Sequence, residues 1–305
     1  MDWILETHGL TKRYGAKAAA NNINMHIKAG EIYGLIGRNG AGKTTIMRMI
    51  SGLSTPTGGD YSLFGKSGSE KSKMLKNVGV LIEEPGVFPK LSAYDNLKIK
   101  CLARGIRPAG YVEELLKAVD LGDVDRKKGV GSYSLGMRQR LGIALALVGD
   151  PKLVVLDEPI NGLDPQGIAD VRQMLLRLRD ERGITIMISS HILDELAKVA
   201  DSYGIINEGT LLDEFTAEEL GKRTGEYVAI RAEDGQTALK ALKSIGVEKA
   251  QIDEKGMIRV HEQLDNSAAM AKALVEAGAA LHEIYIHNVS LEDYFLGVTG
   301  GENNG

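Results

Sequence analysis

Gly37-Arg38-Asn39-Gly40-Ala41-Gly42-Lys43-Thr44 fits the pattern G-x-x-x-x-G-K-[ST] in full. Its glycines let the backbone take positive φ and come close to phosphate oxygens. Successive N–H groups then form an anion-binding nest, and the helix that follows points its positive end at the same place. Lys43 adds a charge near the β- and γ-phosphates, and the Thr44 hydroxyl is a ligand suited to Mg²⁺. The flanks supply the context this reading needs. Glu31–Ile36 is short and apolar and reads as a buried strand, and Lys43–Ile50 reads as a helix stopped at Gly52. A chance match in a chain of this length arises about once in a hundred from average residue usage. A phosphate-binding strand–loop–helix therefore outweighs a ligand-free glycine turn.

The chain as a whole bounds what this loop can belong to. It has 305 residues, 43% of them apolar and 26% charged, which suits one large domain or one large plus one small. That balance excludes a disordered chain, a collagen-like chain and a disulfide scaffold. Lys plus Arg total 37 against 41 Asp plus Glu, a net charge of −4, so no nucleic-acid partner is expected. The single cysteine, Cys101, excludes an internal disulfide and fits a reducing cytosol. The first residues carry an early acid and no small-residue cleavage site after an apolar core, so no export signal is expected. The most apolar stretches, Leu141 to Val148 and Leu153 to Leu156, fall far short of the ~20 residues of a spanning helix. The expectation is a soluble chain whose membrane role, if it has one, comes through a partner.

Moving outward from the loop, Ile46, Met49, Ile50 and Leu53 fall at helical spacing and should pack on a sheet, with Val78–Ile82 as a second buried strand. From Ser92 to Gly149 the pattern turns helical. Ser92-x-x-Asp95 resembles a capping box, and Leu97, Cys101 and Leu102 continue that helix's apolar face into the core. Val112, Leu115, Leu116 and Val119 mark a second helix, and Met137, Leu141, Leu145 and Val148 a third. Strand and helix then alternate: Leu153–Leu156, a helix Pro165 to Arg182, Thr185–Ile188, and a helix Ile192 to Ala200. Alternation of this kind predicts a mainly parallel sheet with an all-helical insertion. A boundary is expected near Lys222–Gly225. Beyond it, Tyr227–Ala232, Thr237–Ile245, Ala250–Asp253, Met257–Val260, Asn266–Glu276 and His282–Ile286 read β-α-β-β-α-β, a ferredoxin-like unit with a hairpin around Glu254-Lys255-Gly256. The polar stretch Thr299 to Gly305 reads as a frayed tail.

Two further features carry chemistry. Leu153-Val154-Val155-Leu156 is an apolar strand that ends in Asp157-Glu158. Adjacent carboxylates on a buried strand need a reason, since unpaired buried charge is costly. Asp157 suits a Mg²⁺ ion, and Glu158 suits the proton of a water attacking the γ-phosphate. Thr185–Ser189 is a similar strand leading to Ser190-His191. Taken alone His191 reads as a surface residue at a helix start. Its place just past that strand points instead to the γ-phosphate and the Glu158 side.

Together these residues resemble the nucleotide-binding subunit of an ATP-binding cassette (ABC) transporter, over about residues 4 to 215. Gly37–Thr45, including Arg38, Asn39, Ala41 and Thr45, matches the Walker A segment, and Leu153–Glu158 the Walker B. Asn161-Gly162-Leu163-Asp164 matches the D-loop, His191 the switch histidine, and Tyr14 the aromatic residue that stacks on adenine. Tyr133-Ser134-Leu135-Gly136-Met137 stands in place of the signature L-S-G-G-Q, with only Ser134 and Gly136 kept. Glu83 stands where most members carry a glutamine that senses Mg²⁺, with Glu84 beside it. The resemblance implies an α/β P-loop NTPase with a mainly parallel sheet, an N-terminal antiparallel β part and a helical subdomain at about 90–150. Together with the element order above, the expected domains are a nucleotide-binding domain in residues 1–222, the ferredoxin-like accessory unit in 225–298, and 299–305 as a flexible tail. It further implies ATP and Mg²⁺ as cofactors, with Thr44, Glu83 and Asp157 at the metal. Glu158 and His191 would be catalytic, and Tyr14, Ser134, Gly136 and Asp164 would contact nucleotide. A homodimer closing through the ATP sites is implied, as is an integral-membrane permease coupled through about Pro85 to Arg107, with this chain cytoplasmic and peripheral on the inner face of the cell membrane. The SLGMRQR variant and the appended C-terminal unit resemble bacterial bacitracin-, lantibiotic- and drug-export ATPases. The alternatives are a soluble ABC ATPase acting on ribosomes or DNA, and a regulatory role for the C-terminal unit. A P-loop GTPase is disfavoured, because no asparagine is followed by lysine in an N-K-x-D sequence.

Overall fold

The computed structural model describes residues 3–224, 227–253, 256–287 and 290–300. Its elements begin with β1 (Trp3–Tyr14), β2 (Lys17–Ile23), β3 (His26–Lys28), β4 (Ile32–Ile36), α1 (Lys43–Ile50), β5 (Gly58–Leu63), α2 (Lys71–Met74) and β6 (Val78–Leu81). There follow α3 (Ala93–Ala103), α4 (Tyr111–Ala118), α5 (Leu135–Leu147), β7 (Leu153–Asp157), α6 (Pro165–Arg182), β8 (Thr185–Ser190), α7 (Leu193–Leu196), β9 (Ser202–Asn207) and β10 (Thr210–Thr216). The last elements are α8 (Ala217–Thr224), β11 (Tyr227–Ala232), α9 (Gly235–Ser244), β12 (Ala250–Ile252), β13 (Ile258–Val260), α10 (Ser267–Glu276), β14 (Leu281–His287) and α11 (Leu291–Thr299).

The chain forms two compact units divided between Ala217 and Glu218, ahead of the boundary expected at Lys222–Gly225. In the first unit, β2, β3 and β5 each pair with β1 in an antiparallel layer. The main sheet runs β10-β9-β4-β8-β7-β6, parallel except for the β10–β9 pair. Every residue of β4, β7 and β8 is buried, as expected of a parallel sheet covered on both faces. One core unites Leu10, Ile27 and Tyr61 of the antiparallel layer with Ile46 and Met47 of α1 and Leu35, Val155 and Met187 of the main sheet. That packing fixes α1, and with it the phosphate loop, above the carboxyl ends of the strands. The insertion between β6 and β7 is helical, with α3, α4 and α5 packed on one another and α5 on β6.

In the second unit, β12-β13-β11-β14 form an antiparallel sheet in the order of a ferredoxin-like fold. Its core joins Val228, Ile230, Ile258 and Val260 of the sheet to Ala238 and Leu242 of α9 and Met270 and Leu274 of α10.

Several expectations need correction. Leu53, expected on the sheet-facing stripe of α1, is exposed, because the helix stops at Ile50 and the chain turns away. Leu102, expected in the core beside Leu97 and Cys101, is also exposed while those two are buried. The helix expected from Ile192 to Ala200 is confined to Leu193–Leu196. At α3 the Ser92 hydroxyl accepts from the Asp95 N–H at 3.1 Å, but it also donates to the Asp95 carboxylate, so only half of the expected box forms. Thr299 ends a helix, α11, rather than opening a frayed tail. Gly225, Glu254, Lys255 and residues 301–305, which belonged to the expected boundary, hairpin and tail, lie outside the described residues.

Candidate active site

The site lies where ligands bind in open α/β sheets, beyond the carboxyl ends of the parallel strands. Asp157 stands opposite Ser189, and Ile36 opposite Ser190, so β4, β7 and β8 end level with one another. Gly37, Glu158 and His191 then leave three neighbouring strands side by side.

The phosphate loop follows β4 and is shaped by two glycines that no other residue replaces. Gly42 has φ 111°, and a Cβ there would lie 2.3 Å from the Ala19 carbonyl oxygen. A Cβ on Gly37 would lie 2.6 Å from the Ile206 carbonyl oxygen. The Lys43 ammonium, nearly buried, donates to the Gly37 carbonyl at 2.6 Å and lies 3.2 Å from Glu158 Oε1. A cavity of about 300 Å³ opens over the loop, lined by Arg38, Asn39, Gly40, Ala41, Thr45 and Glu158 among others. It is large enough for a polyphosphate tail.

At the end of β7 the Thr44 hydroxyl donates to Asp157 Oδ2 at 2.7 Å. The Ser189 hydroxyl donates to Asp157 Oδ1 at 2.6 Å and accepts from the Glu158 N–H at 2.9 Å. Glu158 takes φ 49°, which turns it out of the strand line. Its Oε2 lies 2.8 Å from His191 Nδ1. A carboxylate oxygen accepts, so His191 Nδ1 is the donor in this contact. The Thr44 hydroxyl and the Asp157 carboxylate are hard oxygen donors beside the cradle, a set that fits Mg²⁺.

The other expected residues are placed apart from this cluster. Glu83, at φ 64°, forms an ion pair with Arg48 of α1 and is largely exposed. Tyr14 ends β1 half exposed, with the Lys12 ammonium 5.3 Å from its ring centre. Ser134 caps α5 by accepting from the Met137 N–H at 3.2 Å, and Asp164 caps α6 by accepting from the Gly167 N–H at 3.1 Å. Ser134, Gly136 and Asp164 do not line the cavity over their own phosphate loop. The start of α5 instead lies against the loop before α6, where Leu135 is in reach of Gly162. Sequence reasoning missed three residues: Ser189 behind the carboxylates, Arg48 against Glu83, and Lys17 on the cavity wall. For Ser189 a signal existed, since two serines close an otherwise apolar buried strand.

No helix among the described residues is long and apolar enough to cross a membrane. The ABC transporter family model matches residues 20–161. The bacitracin transport ATP-binding protein BcrA of Bacillus licheniformis is 41% identical over 303 residues, 99% of each chain. The lantibiotic transport ATP-binding protein SrtF of Streptococcus pyogenes is 46% identical over 209 residues, 68% of this chain and 89% of that one. Among solved structures, cbiO1 from Clostridium perfringens, part of the ABC transporter complex cbiONQ, aligns with a TM-score of 0.66 at 28% identity. That alignment covers 73% of this chain and 92% of the other. Likeness of this degree, maintained from one end of the sequence to the other, makes the chain a member of the ATP-binding subunits of the ABC transporter family.

Proposed function

We propose that this chain is the ATP-hydrolysing subunit of an exporter. In this reading it works at the cytoplasmic face of the membrane, drives a separate permease, and closes head to tail with a second copy over two ATP molecules. The cargo class we propose is a peptide antibiotic. The observation that carries the reading is the position of Glu158. One of its oxygens lies against Lys43 and the other against His191, at the edge of the cavity over the phosphate loop.

The mechanism follows from these contacts. The loop N–H groups and the Lys43 ammonium hold the triphosphate. Glu158, held between a lysine and a histidine, accepts the proton of the attacking water, a contribution typically worth about 10²–10⁴-fold. His191 fixes the carboxylate through Nδ1 and stands on the γ-phosphate side of the site. Thr44 and Asp157 would hold Mg²⁺, which would supply charge shielding to the phosphoryl group. The dimer reading is supported by Ser134 and Gly136. They open a second helix whose positive end does not reach the chain's own cavity and suits a partner's γ-phosphate. Tyr14 stacks on the base in this arrangement. The permease and cargo are supported by BcrA and SrtF, whose names describe bacitracin and lantibiotic transport.

Co-expression with the permease that co-purifies from membranes tests the export reading. Tolerance of a sensitive host to bacitracin or a lantibiotic should rise and return to baseline with Lys43→Ala. Unchanged tolerance to both, with phosphate release intact, removes the cargo and keeps the ATPase.

A further inference from the structure

Ser189 is fully buried at the end of β8, opposite Asp157 in the sheet. Its hydroxyl serves both carboxylate residues. It donates to Asp157 Oδ1, which leaves Oδ2 aimed at the Thr44 hydroxyl. It also accepts from the Glu158 N–H, at the point where the backbone enters the left-handed region. A hydroxyl has one proton to give and lone pairs to receive, so both bonds are made at once. The first bond leaves Asp157 a single orientation, with one oxygen tied to the sheet and the other committed to the hard-oxygen pair. The second pins the turn that sends the Glu158 side chain toward Lys43 and His191. An alanine would leave Asp157 Oδ1 and the Glu158 N–H without this partner in a buried place.

We propose that Ser189 is a positioning residue for ATP hydrolysis, a hydroxyl bridge that orients the metal-binding carboxylate and the catalytic base together. It is fully buried, does not line the cavity over the phosphate loop, and acts through Asp157 and Glu158. The inference rests on the ATPase reading of the site and assigns a role to a residue outside the expected motifs. Because the two targets have different jobs, the bridge affects two observables. Loosening Asp157 weakens cation binding, and loosening Glu158 slows the chemical step. The phosphate loop, on another strand, keeps its grip on nucleotide.

The test compares Ser189→Ala, Ser189→Thr and Ser189→Cys in the full chain, each checked by thermal melting. Ser189→Ala should lower kcat for phosphate release about tenfold to hundredfold, the usual range for removing a supporting partner of a metal site. Binding of Mn²⁺ together with a nonhydrolysable ATP analogue, read by electron paramagnetic resonance, should weaken about tenfold. Affinity for a fluorescent ATP analogue in EDTA should stay within about twofold, since loss of uniform binding is not involved. Ser189→Thr should recover most of both losses. Ser189→Cys, similar in size but a weak donor, should fall between alanine and serine. If the threonine variant melts early, the cysteine comparison decides alone. Serine-like kcat and Mn²⁺ binding in Ser189→Ala overturn the proposal. So do equal losses in all folded variants, which would indicate packing. A wild-type chain that releases no phosphate removes the ATPase reading itself. An active wild type with an equally active alanine variant removes only the role of Ser189.

Discussion

His191 Nδ1 and Glu158 Oε2 lie 2.8 Å apart, on residues that leave adjacent strands of the same sheet. The pair gives the base a fixed direction, and its loss should be felt in chemistry more than in binding. His191→Ala is expected to lower kcat by about tenfold to hundredfold, as for other lost orienting partners. Glu158→Gln should abolish turnover and accumulate an ATP-bound dimer, visible by size-exclusion chromatography with light scattering. A Glu158→Gln variant with normal phosphate release would remove Glu158 from the base role.

Glycine is required to different degrees within one loop, and this separates backbone strain from crowding. Gly40 and Gly42 both have positive φ, but a Cβ on Gly40 meets open space while one on Gly42 meets the Ala19 carbonyl. Gly40→Ala should cost about 1 kcal/mol of stability from strain alone. Gly42→Ala should cost more, and ATP binding should be lost as the loop shifts. Urea unfolding and titration with a fluorescent ATP analogue measure both, and equal effects of the two substitutions would contradict the geometry.

Arg48 holds the Glu83 carboxylate in an ion pair, so a Glu83 that serves the ion, as proposed from the resemblance, must first give up this contact. An exposed ion pair is worth ~0.5–1 kcal/mol, so Arg48→Gln should lower the half-activating Mg²⁺ concentration about two- to fivefold. Glu83→Gln should raise it. Mg²⁺ titrations of phosphate release in both variants provide the check, and unchanged curves would place Glu83 away from the ion.

Phe88, Ile99 and Leu102 are large apolar side chains left in solvent around α3. This is the stretch proposed to meet the permease. Leu102→Glu should reduce the permease recovered with the chain from membranes several-fold. Undiminished recovery, with Phe88→Glu also silent, would move the coupling surface elsewhere.

Burial raises the Tyr203 hydroxyl from its ordinary pKa of 10 to about 12, and burial together with the Glu214 carboxylate raises Tyr33 well above its own. A group with a raised folded-state pKa gives stability that is complete below the unfolded value and is lost as pH climbs toward the folded one. The melting temperature should therefore fall between about pH 10 and 12. Tyr203→Phe should flatten part of that slope, at the expense of the bond to the Ala200 carbonyl.

Much of the site was readable because its chemistry is local in sequence. The phosphate loop needs closely spaced glycines, and the carboxylates had to follow an apolar strand. The contacts that complete it were less visible because they depend on which strands become neighbours. Nothing near Ser189 in the sequence announces Asp157, and nothing near Arg48 announces Glu83. Helical spacing also shows which residues share a stripe without showing where the stripe ends. Leu53 lies past the end of α1 and Leu102 on the solvent side of α3, although each continues an apolar period. The second unit was readable as an order of elements, whereas α8 and α11 were missed, their short polar and mixed stretches giving no decisive period.

The Asp157–Ser189 pair also bears on how reliably the chain folds. The strands that carry it are buried on both sides, so apolar residues alternate with nothing and slide past one another at little loss. A one-residue slip of β8 that brings Ile188 opposite Asp157 would leave the buried carboxylate without its hydroxyl, at a cost of ~1–3 kcal/mol. The same two side chains therefore act as a key against that mispairing, as a lone buried polar residue does in a coiled coil. Molecules that fold with the wrong alignment would be inactive as well as unstable.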